Sequence, residues 1–449
     1  MREQTIAVAI YWGVWLILPI LVDGVNALAL FVQVLYSRLR AGRRAISDPS
    51  VWPGISIIVP VYNGEDTLEN CLESLRRQNY PPDKLEIIVV DNGSTDRTPE
   101  IYHQVSERPF RGQMHWISIA GRGKSWALNA GLHVASNPYI CTIDADAVVH
   151  PNAMREMARR FEADPSLGAA TGAVEVLPVP DEQRGDRIPF LIAECEFQEY
   201  LAAFWLGRQG QTLSQSLFTL AGVFSFFRRS ILLHTELYDK LTVSEDTKIT
   251  FDIRKQFGGE RLACIPEAII YLTPTPSLAA LYSQRVRWQR GELEVAAVHE
   301  DMVDANILRT RGLALGRILL IDHTFMFPRL IWTFVFPALI FFGYPLSIII
   351  GALVLIYAFY GILAGLSSLS VYLCAPADIR ARLRRSWWIA AIMPAYRMLI
   401  FLFRLGGCII ALTEPAGWRV RAPWTETKEA FQSLAAQVRG RLMIWRGGR

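Results

Sequence analysis

Two long stretches of this sequence are almost free of charged side chains. Between Glu3 and Arg38 the only charged residue is Asp23, and between Arg329 and Asp378 there is none. Each stretch is long enough to cross a lipid bilayer as a helix, which takes about 20 residues. All other Asp, Glu, Lys and Arg residues lie outside them, at the density of an ordinary soluble domain. The pattern predicts a membrane-anchored domain of enzyme size and argues against a wholly soluble chain, a disordered chain or a many-span transporter.

The placement of arginines predicts the orientation of these segments. The first stretch lacks a small-residue cleavage site, which predicts an uncleaved anchor. It is followed directly by Arg38, Arg40, Arg43 and Arg44. Positive charge marks the cytoplasmic side, so the domain that follows is predicted to be cytoplasmic and the protein to be a multi-pass protein of the cell membrane. The second stretch is broken near Gly343, Tyr344 and Pro345 and divides into two spans, a hairpin that returns the chain to the cytosol.

The segment 386–412 is apolar enough for a further crossing, but Pro394 interrupts it and Arg397 and Arg404 fall on one helical face. An interfacial helix is the favoured interpretation and a fourth span the alternative. The predicted division of the chain is an anchor at 1–45, a cytoplasmic domain at 46–300, an interfacial helix at 301–323, a transmembrane hairpin at 324–377, a basic loop and interfacial helix at 378–412, and a basic tail at 413–449.

The six cysteines are scattered and form no CxxC pair: Cys71, Cys141, Cys195, Cys264, Cys374 and Cys408. This argues against a disulfide framework or a zinc site and fits a reducing cytosol.

Short β-branched runs alternate with helical segments between about residues 52 and 300. The predicted strands are Ile55–Val59, Glu86–Val90, Trp116–Ile119 and Tyr139–Ile143, each followed by a helix or a polar turn. Such alternation predicts an α/β domain with a doubly wound, mostly parallel sheet. Ligands in these sheets bind beyond the carboxyl ends of the strands, so functional side chains are expected just after each strand.

Two carboxylates, Asp144 and Asp146, follow the strand YICTI with one residue between them. Carboxylates spaced in this way can hold one hard cation, Mg²⁺ or Mn²⁺, which also takes phosphate oxygens of a substrate. A solvated turn is the alternative, but the position at a strand end favours the metal site.

A glycine-flanked turn, Gly121-Arg122-Gly123-Lys124-Ser125, begins the next predicted helix. It lacks the spacing of a P-loop, because Ser118 stands where that pattern needs glycine. Backbone N–H groups and two cations at a helix start suit a diphosphate, whereas the alternative is a solvated basic turn.

Two further segments carry candidate residues. Ser244-Glu245-Asp246-Thr247 precedes a helix, where Asp246 is a candidate catalytic base or simply a helix cap. In Gln284-Arg285-Val286-Arg287-Trp288, residues 284, 287 and 288 share one helical face. A cation beside a large flat ring suits diphosphate and sugar together, and an amphipathic helix resting on lipid headgroups is the alternative.

In this order, VPVYN, VVDNGSTD, GKSWALNAG, DAD, SEDT and QRVRW resemble the motif series of membrane-bound processive family-2 glycosyltransferases. This group comprises the hyaluronan, chitin, cellulose and poly-N-acetylglucosamine synthases. The resemblance covers about residues 52–300 and implies a GT-A fold and an inverting transfer from a nucleotide diphosphate sugar, most often a UDP-sugar. The partners implied are this donor, a polysaccharide or glycolipid acceptor and the lipid bilayer; no nucleic-acid partner is predicted.

The resemblance also implies roles at matching positions. Tyr62 and Asp91 would contact the uridine, and Lys124 the diphosphate. Asp144 and Asp146 would bind the nucleotide and its Mg²⁺ or Mn²⁺.

The same resemblance makes Asp246 the general base, with Glu245 beside it. The acceptor end and the leaving diphosphate would be bound by Gln284, Arg287 and Trp288, and an acceptor pocket would be lined by Gly222 and Phe224. All these groups are expected to converge on one cleft at the lipid boundary.

Three crossings are fewer than hyaluronan-type or cellulose-type enzymes usually carry, and no FxVTxK sequence is present. The chain is therefore expected to oligomerise or to hand its product to an export partner. Two other interpretations stay open: a non-processive transferase that glycosylates a membrane lipid, and an inert membrane scaffold, which intact Asp144, Asp146 and Asp246 argue against.

Overall fold

The computed structural model describes residues 20–41, 46–121, 123–180, 185–238, 244–258, 261–299, 334–336, 338–413, 425 and 427–433. Its strands are β1 (Ile55–Val61), β2 (Leu85–Asp91), β3 (Gln113–Ser118), β4 (Tyr139–Ile143), β5 (Ala147–Val149), β6 (Leu167–Val176), β7 (Phe224–Arg228) and β8 (Arg261–Leu272). The helices of the domain are α2 (Leu68–Arg76), α3 (Thr98–Ser106), α4 (Lys124–Val134), α5 (Ala153–Ala163), α6 (Arg187–Leu201), α7 (Arg208–Leu213), α8 (Arg229–Leu233), α9 (Glu245–Gln256) and α10 (Leu278–Val298). Outside the domain lie α1 (Val25–Ala41), α11 (Leu346–Cys374), α12 (Ala377–Arg385) and α13 (Met393–Thr413).

The strands form one eight-stranded sheet in the order β3-β2-β1-β4-β7-β6-β8-β5. The first four strands pair in parallel and carry a helix in each crossover, which confirms the predicted doubly wound half. Alternate residues of β1 face opposite layers: Ile57 and Val59 pack in the core cluster that includes α2, and Ile58 packs with Leu128 of α4. The second half is mixed, because β7 runs antiparallel to both β4 and β6.

The structure describes part of the segments predicted to lie in or on the membrane. Among the described residues, two helices are long and apolar enough to cross a membrane, Leu346–Cys374 and Met393–Ala411. The first begins directly after the predicted break, where Gly343 has a φ of +79°. The second covers the segment predicted to be interfacial, and its composition alone permits either arrangement. The predicted interfacial helix at 301–323, much of the anchor at 1–45 and most of the tail at 413–449 lie outside the described residues.

The chain that leaves α11 packs directly on the α/β domain. Ala375, Ile379 and Leu383 belong to the same core cluster as the sheet. Arg382 of α12 forms an ion pair with Glu194 of α6 at 2.9 Å, and its guanidinium lies 3.7 Å from the centre of the Phe197 ring. The end of α11 therefore lies on the domain side, which is where a hairpin would return it.

Candidate active site

The loops after β1, β2 and β3 interlock at the carboxyl edge of the sheet. Asp91 is buried and accepts a hydrogen bond from the Ser94 backbone N–H at 2.9 Å. Gly93, at a φ of +82°, lies so close to Gly121 that an added Cβ would be 3.1 Å from its Cα and N. Asn92 accepts a hydrogen bond from the Gly123 N–H at 3.1 Å, which fixes the start of α4. Tyr62, on the neighbouring loop after β1, is exposed.

Lys124, the first residue of α4, joins two of the predicted acidic segments. Its Nζ lies 2.6 Å from Oδ1 of Asp144 and 3.1 Å from Oε1 of Glu245. Burial opposes the charge on Lys124, but these two carboxylates outweigh it and raise the pKa of the lysine. Burial raises the pKa of Asp144 to about 6, against the lowering effect of Lys124 and with a further raising effect of Asp146.

Asp246 lies in the first turn of α9, where the helix dipole favours negative charge. Its carboxylate accepts hydrogen bonds from the backbone N–H groups of Gly222 at 2.9 Å and Thr247 at 2.7 Å. Burial and the charge of Glu245 raise the pKa of Asp246, and Lys124 and the two N–H groups limit the rise. Asp246 is thus held rigidly beside a small cavity that Gly222 and Glu245 also line.

The residues at the end of β4 have the chemistry of a divalent-cation site. Asp146 is exposed and Asp144 half-buried, and the negative charge of Asp146 adds to burial in raising the pKa of Asp144. Within the described part of the chain no cluster of three or more ligating side chains is found. Two carboxylates suffice for Mg²⁺ or Mn²⁺ that keeps waters and binds substrate phosphates.

The predicted acceptor-binding face lies on α10. Arg287 is exposed, Gln284 and Trp288 are half-buried, and the Oε1 atom of Gln284 is buried without a hydrogen-bond partner among the described residues. Three residues beyond Trp288, Gly291 lies against Ser244 at the start of α9, where an added Cβ would overlap the serine Oγ. This close crossing joins the helix of Trp288 to the helix of Asp246.

One predicted site residue does not meet expectation. Phe224 was expected to line an acceptor pocket, but its side chain is fully buried and packs over Gly172 in the core. The reason is its place at the start of β7, in the middle of the sheet between β4 and β6. Its neighbour Gly222, in contrast, donates its N–H to Asp246 and is part of the site.

The structure therefore brings Lys124, Asp144, Glu245, Asp246 and Gly222 into direct contact and attaches the α10 face to them through the Gly291 crossing. Asp91 and Tyr62 lie on the adjoining strand-end loops. Arg285, within the α10 motif, was not singled out from the sequence. It is 1% exposed and forms an ion pair with Glu199 at 2.7 Å. Helical spacing sets it apart from the face of 284, 287 and 288, but nothing in the local sequence identifies its partner Glu199.

A mixed sheet of this topology with acidic residues at the end of β4 has a GT-A-like fold. In fold the chain resembles the mannosyltransferase PcManGT from Pyrobaculum calidifontis, solved in complex with GDP-Man and Mn²⁺. The TM-score is 0.55 at 19% identity, over 89% of this chain and 98% of that one. Residues 56–235 match the family model Glycosyl transferase family 2. The chain carries a family-2 glycosyltransferase domain.

Curated relatives resemble the chain over 243 residues. It is 29% identical to the poly-beta-1,6-N-acetyl-D-glucosamine synthase of Staphylococcus aureus (strain MSSA476) and 28% identical to that of Staphylococcus epidermidis. The match covers 54% of this chain and 55% of each relative, so it spans about half the length of both.

Proposed function

We propose that this protein transfers a sugar from a nucleotide diphosphate sugar to the end of a growing polysaccharide at the cytoplasmic face of the cell membrane. The single observation that carries the proposal is that Lys124 contacts both Asp144 and Glu245, the chain neighbour of Asp246, so that a candidate diphosphate ligand and a candidate base share one site. The names of the curated relatives support N-acetylglucosamine as the sugar and a β-1,6-linked polymer as the product. The motif series supports UDP as the carrier.

The reaction we infer is a direct displacement that inverts the anomeric carbon. Asp246 removes the proton from the acceptor hydroxyl while its oxygen forms the new bond to the anomeric carbon. The bond from that carbon to the diphosphate breaks, and its electron pair leaves with the diphosphate beside Lys124. The raised pKa of Asp246 suits this role, because a carboxylate that holds a proton more strongly is a better base.

Asp144 and Asp146 are the residues that would hold Mg²⁺ or Mn²⁺, which when bound supplies positive charge for the leaving diphosphate. The solved fold relative with GDP-Man and Mn²⁺ supports this use of a divalent cation. Gln284, Arg287 and Trp288 would bind the acceptor end, since an unpartnered buried amide oxygen, an exposed cation and a half-buried ring suit a carbohydrate. Tyr62 and Asp91 would hold the uridine.

The location and partners are part of the proposal. The arginines after α1 and in α12 support a cytoplasmic catalytic domain, and the contacts of Arg382 with Glu194 and Phe197 support a fixed position of that domain at the membrane. The three crossings predicted from the sequence support export through a partner protein or a homo-oligomer rather than through this chain alone.

The test is purified protein in lipid or detergent, incubated with a panel of UDP-sugars and either Mg²⁺ or Mn²⁺. UDP release and product mass are measured, with Asp246→Asn as the inactive control. The expected result is UDP release from UDP-N-acetylglucosamine and a ladder of products that spans many sugars. A single sugar added to a lipid would contradict polymerisation, and no turnover with any donor would contradict the proposed activity.

A further inference from the structure

We propose that Arg285 is a positioning residue that clamps the Trp288 ring and, through Glu199 and Tyr396, makes acceptor binding depend on the apolar helix α13. The proposal rests on the proposed function, because it takes Trp288 as part of the acceptor site. It concerns a residue that touches neither donor nor reacting atoms and acts only through the indole ring.

The position of Arg285 under Trp288 is the first step. The guanidinium carbon lies 4.4 Å from the centre of the Trp288 ring and 5.8 Å from that of Tyr200, and the side chain is 1% exposed. A desolvated cation over an aromatic face gives a strong and directional contact. The indole ring is therefore held from one side by a charge that cannot move into water.

Two carboxylates of α6 hold this cation in place. Glu199 accepts a hydrogen bond from Arg285 at 2.7 Å, and Glu196 lies 3.6 Å away. Glu196 is itself fixed by the Thr275 hydroxyl at 2.6 Å and the Thr275 N–H at 2.9 Å. A buried arginine needs such partners, because an uncompensated buried charge is strongly unfavourable. The orientation of the guanidinium is thus set by α6, not only by its own helix.

The third step connects the clamp to α13. The Tyr396 hydroxyl donates a hydrogen bond to the same Oε2 atom of Glu199 at 2.8 Å and lies 3.4 Å from Arg285. On the same helix, Gly407 approaches the Val286 backbone so closely that an added Cβ would be 2.7 Å from its carbonyl oxygen. A displacement of α13 would therefore change the position of Glu199, of Arg285 and of the ring that Arg285 supports.

The consequence is that acceptor binding and donor binding should respond differently to a change in the clamp. The donor ligands Lys124 and Asp144 lie on α4 and after β4, away from this network, so loosening the clamp should weaken acceptor binding and leave donor binding unchanged. In a polymerising enzyme a weaker hold on the acceptor releases the chain earlier and shortens the product.

The test compares Tyr396→Phe and Arg285→Lys with the matched control Tyr357→Phe. The control also removes a tyrosine hydroxyl from an apolar helix, one that donates to the Ala391 carbonyl at 2.7 Å outside the clamp. We expect Tyr396→Phe to raise the acceptor KM or shorten the mean product by about threefold to tenfold. Arg285→Lys, which keeps the charge but loses the planar contact, should have a larger effect. Donor KM should not change in any of the three.

A spectroscopic measurement tests the clamp independently of turnover. In protein labelled with 5-fluorotryptophan, the Trp288 resonance is assigned by its loss in Trp288→Phe. Tyr396→Phe and Arg285→Lys should shift or broaden this ¹⁹F signal, and Tyr357→Phe should leave it unchanged.

The outcomes separate the two proposals. If the wild-type chain adds one sugar or none, polymerisation fails, and the acceptor KM or the ¹⁹F signal still decides on the clamp. If the wild type polymerises but Tyr396→Phe matches Tyr357→Phe in product length and ¹⁹F signal, the clamp is wrong. A change of donor KM equal to that of acceptor KM would also overturn it, because it would indicate general damage to the site.

Discussion

Adding one methyl group at Gly291 tests whether the crossing of α9 and α10 sets the geometry of catalysis. An ideal Cβ at this position would be 2.8 Å from the Ser244 Cβ and 3.1 Å from the Ser244 backbone N. Carbon atoms in contact are about 3.5–4.0 Å apart, so Gly291→Ala must push the start of α9 away by about 1 Å. Asp246 lies two residues from Ser244 and would move with it.

A shift of about 1 Å in a catalytic group can lower the rate by about 10²-fold. We therefore expect Gly291→Ala to lower kcat by about 10²-fold in a UDP-release assay, with a donor KM near that of the wild type. Donor binding persists because Lys124 and Asp144 lie on other elements. The substitution raises helix propensity by about 1 kcal/mol, whereas overpacking costs about 1–3 kcal/mol, so thermal unfolding of the variant is measured alongside to separate a displaced base from a loss of folding.

Two variants sharpen this experiment. Gly351→Ala in α11 makes the same change where nothing lies within 4 Å of the added atom, and it should behave as the wild type. Ser244→Gly removes the clashing Oγ and Cβ, so the double variant with Gly291→Ala should recover much of the lost rate. Full activity of Gly291→Ala, or a double variant no better than the single one, would refute the reasoning.

Glu245→Gln removes the like charge beside Asp246 and so lowers the pKa of Asp246. Because activity is lost as the base becomes protonated, the acidic limb of the pH profile of kcat/KM should move to lower pH. An acidic limb that does not move would mean that another group controls it. Lys124→Gln removes the cation beside Asp144, so initial-rate kinetics should show a donor KM about tenfold or more higher with little change in acceptor KM. Asp23→Leu breaks a 2.6 Å hydrogen bond from Tyr360 within the apolar segments and should lower the free energy of unfolding in detergent by about 0.6–1.7 kcal/mol. Adding Tyr360→Phe to Asp23→Leu should lower it little further. Additive losses of stability would contradict the hydrogen bond between the two residues.

The parts of the fold that follow local rules could be predicted from the sequence. The runs ISIIV, EIIVV and YICTI became strands, because β-branched residues between polar turns favour buried parallel strands. The carboxyl ends of such strands meet at one edge, so the contact between Lys124 and Asp144 follows from topology. The break at Gly343 to Pro345 was predictable because glycine and proline end apolar helices.

The parts that depend on distant partners could not be predicted. Arg285 is paired with Glu199, 86 residues away, and lies beside Tyr396, 111 residues away, whereas its neighbour Arg287 is exposed. The spacing of QRVRW places the two arginines on different helical faces, but it does not show that one of them is buried against α6. The position of β7 between β4 and β6 likewise depends on long-range pairing, and it is this pairing that buries Phe224.

The central claim is that Asp246, held by the Gly222 and Thr247 N–H groups, is the base of a site whose donor ligands are separate residues. The most direct test measures turnover and donor affinity of Asp246→Asn in the same preparation, by UDP release and by titration with UDP-N-acetylglucosamine and Mg²⁺ or Mn²⁺. The account predicts a turnover lower by about 10²–10⁴-fold with donor affinity retained. Retained turnover, or loss of donor binding together with turnover, would contradict it.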